Sequence, residues 1–156
     1  MEFRAADVAA MGEALAIARE SLLAGEADVP VGALLLDPEG RALAVSGNRR
    51  EALSDPTAHA EVVVLREAAV SRGDWDLSGC TLVVTLEPCP MCAGAAYLSR
   101  VDRVVFGAWN EEYGAAGSAW DLLRDRRLAH RPEVIGGVLA DDCGAVVREF
   151  FERLRG

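Results

Sequence analysis

Residues 81–108 read TLVVTLEPCPMCAGAAYLSRVDRVVFGA, and how this stretch folds decides how the rest of the chain is read. Two apolar runs, "CTLVVTL" and "RVVFGA", are continuous rather than alternating, as in strands covered on both faces. Between them the sequence predicts a helix from near Pro90 to near Arg100, since proline is favoured at a first helical position. The segment also holds "PCPMC", with thiols at Cys89 and Cys92, in a chain that has only four cysteines.

Working outward, apolar residues recur at helical spacing over about 8–24 (Met11, Ala14, Leu15, Ala18, Leu22). "VPVGALLLD" reads as a buried strand, "DPEG" as a turn, and "RALAVSGN" as a returning strand, so the pair is expected to be a hairpin. A polar loop, "NRREALSDPTA", precedes a helix, "HAEVVVLREAAVSRG", which should end at Gly73. After residue 108 come a glycine-rich loop, "YGAAGSAW", a further helix, a last strand in "PEVIGGVL" and a last helix in "ADDCGAVVREFFERLR". The order α-β-β-α-β-α-β-loop-α-β-α implies an α/β fold with a mixed sheet covered on both faces. With no internal repeat or linker, a single domain over 1–156 is expected.

The 156 residues are 51% hydrophobic and 26% charged, ordinary for a soluble globular protein. No apolar run approaches the roughly 18–20 residues that span a bilayer. The N-terminal stretch lacks a basic start and carries acids through its apolar pattern, which does not suit a signal peptide. Cytoplasmic residence is the expectation, and there closely spaced cysteines more often bind metal or react than pair. A net charge of −9 argues against tight nonspecific binding to nucleic acid, which depends on Lys and Arg.

Cys89 and Cys92 alone leave three readings open: metal ligands, a redox dithiol, or core residues. Their i, i+3 spacing sets both sulfurs on one side of a first helical turn, where free amides and the helix dipole favour thiolates. The chain has two histidines. Taken alone, His59 is a cap or surface residue, and Glu61 is a first-turn acid suited to the helix dipole. Taken together, "HAE" and "PCPMC" supply three zinc donors (His59, Cys89, Cys92) and one unassigned carboxylate. Catalytic zinc uses three protein ligands and keeps its fourth position for water, whose pKa falls to about 7. Glu61 is then better placed to carry protons than to bind metal.

These residues resemble the zinc-dependent nucleobase and nucleoside deaminases, whose signature is H-x-E followed by P-C-x-x-C. "DPTAHAE", "EPCPMCAGA", "GAAGS" and "HRPEVIGGVLADDC" are similar to the bacterial tRNA adenosine deaminase branch. The resemblance implies a three-layer α/β/α sandwich around a five-stranded mixed sheet, one zinc per subunit, and a homodimer. It also implies conversion of adenosine to inosine at the wobble position in a tRNA anticodon loop. In that reaction zinc-activated water attacks C6, and Glu61 shuttles protons to the ring and the leaving ammonia. Asn48, otherwise a strand-end turn residue, matches an asparagine that contacts the target nucleoside. Val29 and Pro30, otherwise the start of a strand, match a wall of the base pocket. Ala60, Trp109, Asn110, Phe150 and Phe151 complete the substrate contacts expected on this ground.

The departures from that branch cluster together. An acidic residue and a lysine two positions later are replaced by Asn110 and Glu112, and a usual asparagine by Ala129. Glu112 for lysine exchanges an attraction to phosphate for a repulsion, so substrate identity is where the resemblance is weakest. Against this, arginines surround Phe150 and Phe151 in "REFFERLRG" and recur in "LLRDRRLAHRPE", a mixture suited to an unstacked single strand. The alternatives are a paralogue acting on a free base such as guanine or on another single-stranded nucleic acid, a structural zinc module, and a redox dithiol. Cys80, Cys143 and Trp120 are expected in the core, and His130 in a structural or RNA-side position.

Overall fold

The computed structural model describes residues 2–156. Its elements are α1 (Ala5–Leu23), β1 (Gly32–Leu36), β2 (Ala42–Gly47), α2 (Ala60–Arg72), β3 (Thr81–Leu86), α3 (Pro90–Leu98), β4 (Arg103–Ala108), β5 (Glu133–Gly136) and α4 (Ala140–Arg155). The five strands form one sheet in the order β2-β1-β3-β4-β5. β1 is antiparallel to both β2 and β3, and β3, β4 and β5 run parallel. This is the mixed sheet expected, with the hairpin in place.

Two-residue periodicity along the strands divides the core. Leu35, Leu82, Val84, Val104 and Phe106 face α2 and α3, meeting Val64, Leu65, Ala93 and Ala96. Leu34, Val83 and Val105 face the other way onto α1 and α4, meeting Met11, Ala14, Leu15 and Val146. Because both faces of β3 and β4 are covered, their sequences read as unbroken apolar runs. Cys80 and Cys143 are buried in these two cores, as anticipated. α2 ends at Gly73, whose φ of 74° provides the left-handed cap.

Three expectations fail for physical reasons. β1 starts at Gly32, leaving Val29 and Pro30 ahead of it. A strand paired on both sides has no place for a residue without an N–H. The helix predicted between the glycine-rich loop and the last strand is only a short 3₁₀ turn, Leu122–Arg124. There the Asp125 carboxylate accepts from the backbone N–H and guanidinium of Arg127, drawing the chain into a turn instead. Trp120 is 49% exposed rather than core, because the chain reverses at Gly117–Trp120, closed by the Gly117 N–H on the Trp120 carbonyl. No described helix is long and apolar enough to cross a membrane.

Phe106 is fully buried between β4 and α2/α3. Phe106→Ala is expected to lower unfolding stability by about 3–5 kcal/mol, read as a reduced urea midpoint at unchanged slope.

Candidate active site

The parallel strands β3 and β4 end at the same edge of the sheet where antiparallel β1 begins, since Ala33 pairs with Val84 and Leu86 with Ala108. Ligands in open α/β sheets bind beyond such carboxyl ends. Just past β3, Cys89 caps α3, Pro90 takes its first position, and Cys92 faces inward, fully buried. His59 caps α2 in extended conformation. The "DPTA" turn before it is fixed by the Asp55 carboxylate, which accepts from the Thr57 backbone N–H and hydroxyl and pairs with Arg66. Thr57 therefore holds the Asp55 carboxyl below its ordinary range.

His59 Nδ1 lies 3.7 Å from Cys89 Sγ and 3.4 Å from Cys92 Sγ. Tetrahedral zinc with bonds of about 2.3 Å to sulfur and 2.0–2.1 Å to nitrogen separates those donors by about 3.6 Å, so the set fits. Among the described residues these form the one His/Cys/Asp/Glu cluster with donor atoms all within 4.8 Å of one another. Glu61, the second residue of α2 and 5% exposed, stands outside it.

The protonation pattern reflects the same crowding. A hydrogen bond from Cys92, helped by His59, pulls the Cys89 thiol down to about 4. Cys92 is pushed up because it supplies that hydrogen bond and is buried. The hydrogen bond to Cys89 raises His59. Two sulfurs thus share one negative charge beside an imidazole at two helix N-termini, a donor set that a divalent cation would complete by displacing protons. Burial raises the carboxyl of Glu61, the direction suited to a group that gives and takes protons near neutral pH.

A cleft of about 640 Å³ opens over His59, Glu61 and Cys89, within the range of small-molecule sites. Of the expected contacts, Val29, Asn48, Ala60, Trp109, Asn110 and Phe151 line it. The Asn48 amide donates to the Val29 carbonyl, and its oxygen accepts from the Arg50 N–H, so it is held at the wall by its own turn.

With this geometry in place, the family match follows. The model for the cytidine and deoxycytidylate deaminase zinc-binding region matches residues 4–108. The chain belongs to this deaminase family. It is 46% identical to a Bacillus subtilis tRNA-specific adenosine deaminase over 93% of this chain and 88% of that one. A Deinococcus deserti protein named tRNA(Ile)-lysidine synthase is 53% identical over 94% of this chain, which spans only 27% of its length. A solved structure from work on A-to-I editing by tRNA:A34 deaminases superposes with a TM-score of 0.82 at 38% identity, covering 88% of this chain and 98% of that one. A guanine deaminase from Nitrosomonas europaea superposes with a TM-score of 0.75 at 29% identity, covering 92% and 83% respectively. The cytidine deaminase-like sandwich is thereby the fold of this chain.

Two expected contacts of the deaminase are elsewhere. Pro30 is buried between two cleft residues, and Val31 takes its place on the wall. Phe150 packs into the core between α4 and the sheet. Only its T-shaped neighbour Phe151, 42% exposed, reaches the cleft. Arg50, Glu87 and Tyr113 line the cleft without having been singled out; for Arg50, adjacency to Asn48 was the available signal. His130 lies apart, its ring Nε2 2.7 Å from the Val101 carbonyl.

The purified deaminase is expected to retain about one divalent metal per chain through dialysis, as three such donors hold a catalytic ion. His59→Ala and Cys92→Ala should each release it, read by elemental analysis.

Proposed function

We propose that this deaminase converts adenosine to inosine at the wobble position of a tRNA anticodon loop, using zinc held by His59, Cys89 and Cys92. The observation that carries the reading is the three-donor cluster with Glu61 beside it, opening onto a cleft of nucleoside size. The tRNA assignment rests on relatives named for adenosine deamination in tRNA and, in Deinococcus, for another tRNA modification.

Zinc held by these three residues would supply a water of lowered pKa. Glu61 would relay both protons of the attacking water in turn, the first to the adenine ring nitrogen N1 and the second, released as the C6 oxygen becomes a carbonyl, to the departing amine. A C6–O bond forms, the C6–N6 bond breaks, and ammonia leaves. Val29, Val31 and Ala60 offer apolar contact to the base, and the Asn48 amide is the polar group at that wall. Trp109 and Phe151, 49% and 42% exposed, offer stacking faces for unpaired bases, which suits recognition of a loop.

One zinc site per subunit, a single deaminase domain, a homodimer and a cytoplasmic setting complete the reading. The apolar side chains of Met91 and Leu98 on α3, 36% and 66% exposed, are surface that a second copy would cover.

The test is ammonia release from an arginine-tRNA anticodon hairpin compared with free adenosine, guanine and cytosine. Activity on a free base with none on the hairpin would reject the tRNA assignment in favour of the guanine-type relative. Glu61→Gln is expected to keep its metal and fold while turnover falls by about 10²-fold or more. Glu112→Lys should tighten hairpin binding several-fold at low salt. It should also steepen the logarithmic salt dependence by about one, as for one added phosphate contact.

A further inference from the structure

The lip of the cleft, Trp109 to Tyr113, belongs to a segment without helix or strand that runs to Ser118. Its backbone needs an anchor, and one side chain supplies it. Glu87, two residues before Cys89, is 2% exposed. Its Oε1 accepts from the Asn110 N–H at 3.0 Å and from the Ser118 hydroxyl. Its Oε2 accepts from the Ala116 and Ser118 N–H groups, both at 3.0 Å. A carboxylate has about four acceptor sites, and all are used on this one segment.

The packing leaves the loop no alternative path. A Cβ added at Gly114 would fall 2.3 Å from Glu87 Cδ and 2.4 Å from the Asn110 carbonyl. The Glu87 backbone N–H donates to the Ala108 carbonyl at 2.8 Å, and the Pro88 carbonyl accepts from Ala115 at 2.7 Å. A buried charge is costly unless fully hydrogen-bonded, so its placement between metal ligands and lip calls for a functional account.

We propose that Glu87 is a positioning residue that locks the substrate-binding lip to the Cys89 segment, fixing Trp109 and Asn110 relative to the metal ligands. The inference rests on the deaminase reading above. It locates substrate affinity in a group whose carboxylate oxygens are both taken up by the lip segment. Charge-assisted bonds from fixed N–H donors are stronger and more directional than neutral ones, so the lip is held to a single arrangement.

Glu87→Gln tests it, because the amide keeps one acceptor oxygen and turns an NH₂ against donors. Expected are full metal content, kcat within about threefold, and KM for the wild-type enzyme's best substrate raised about tenfold or more. Ser118→Ala removes one donor of four and should change KM by less than about threefold. Amide exchange in the wild-type protein gives a readout without substrate or variant. Asn110, Ala116 and Ser118 should be protected, with Glu111 and Glu112 fast. Unchanged KM in Glu87→Gln, a fall in kcat at constant KM, loss of metal, or uniform exchange across 110–118 would each overturn the proposal. Failure of the hairpin as substrate would instead overturn only the tRNA assignment, because the exchange pattern does not depend on it.

Discussion

The site depends on two helix N-termini meeting. His59 and Cys89 are each the residue just before a helix, and neither uses its side chain to cap it. The imidazole and thiol are therefore free to turn toward each other, coming within 3.7 Å. Helix starts present unpaired N–H groups and the positive end of the dipole, which stabilise a thiolate before any cation arrives. Were either helix to start one residue later, its donor would turn away by about 100°, a consequence of 3.6 residues per turn. Pro90 at the first position of α3 fixes one start. The Asp55–Thr57 turn fixes the other.

The sheet converts that local arrangement into a cleft. A wholly parallel sheet would begin β1 at the far edge. With β1 antiparallel to β3, the residues entering β1 and leaving β2 stand beside the metal ligands instead. Val29, Val31 and Asn48 become a wall for that reason. The buried Thr85 hydroxyl accepts from the Gly32 N–H at 3.1 Å, joining this wall to β3 two residues before Glu87. One strand end thus organises two sides of the cleft: Thr85 toward β1, Glu87 toward the lip.

What was legible in the sequence follows from how local each determinant is. Gly73 ends α2 because a left-handed cap is a property of one residue. The His59, Cys89 and Cys92 set was readable because side-chain chemistry limits which groups bind metal. The Phe150 and Phe151 pair was not separable: neighbours on a helix point about 100° apart, and which of them meets the core depends on how α4 packs. Trp120 misled because size suggests burial, whereas a turn set by Gly117 turned it outward. Glu87 carried no signal at all. Its four donors come from residues 23 to 31 positions downstream, in a loop with no periodicity to announce where it folds.

On the proposed tRNA reading, charge explains how an acidic chain could still accept a nucleic-acid loop. Arg50 is the one arginine or lysine among the residues lining the cleft, whereas Glu111 and Glu112 stand at the lip. A phosphate brought to the cleft would be repelled by those carboxylates and attracted by Arg50. The apolar and aromatic side chains of the lining, Val29, Val31 and Trp109 among them, suit bases better than phosphates. Trp109 is itself set by packing, its ring edge-on to Phe106 at 4.8 Å with no room at Gly136 for a side chain. On that reading affinity would come mainly from stacking and shape, with little from counterion release. A net charge of −9 is compatible with that mode of binding, and it suppresses adhesion to duplex and bulk RNA that a basic surface would invite.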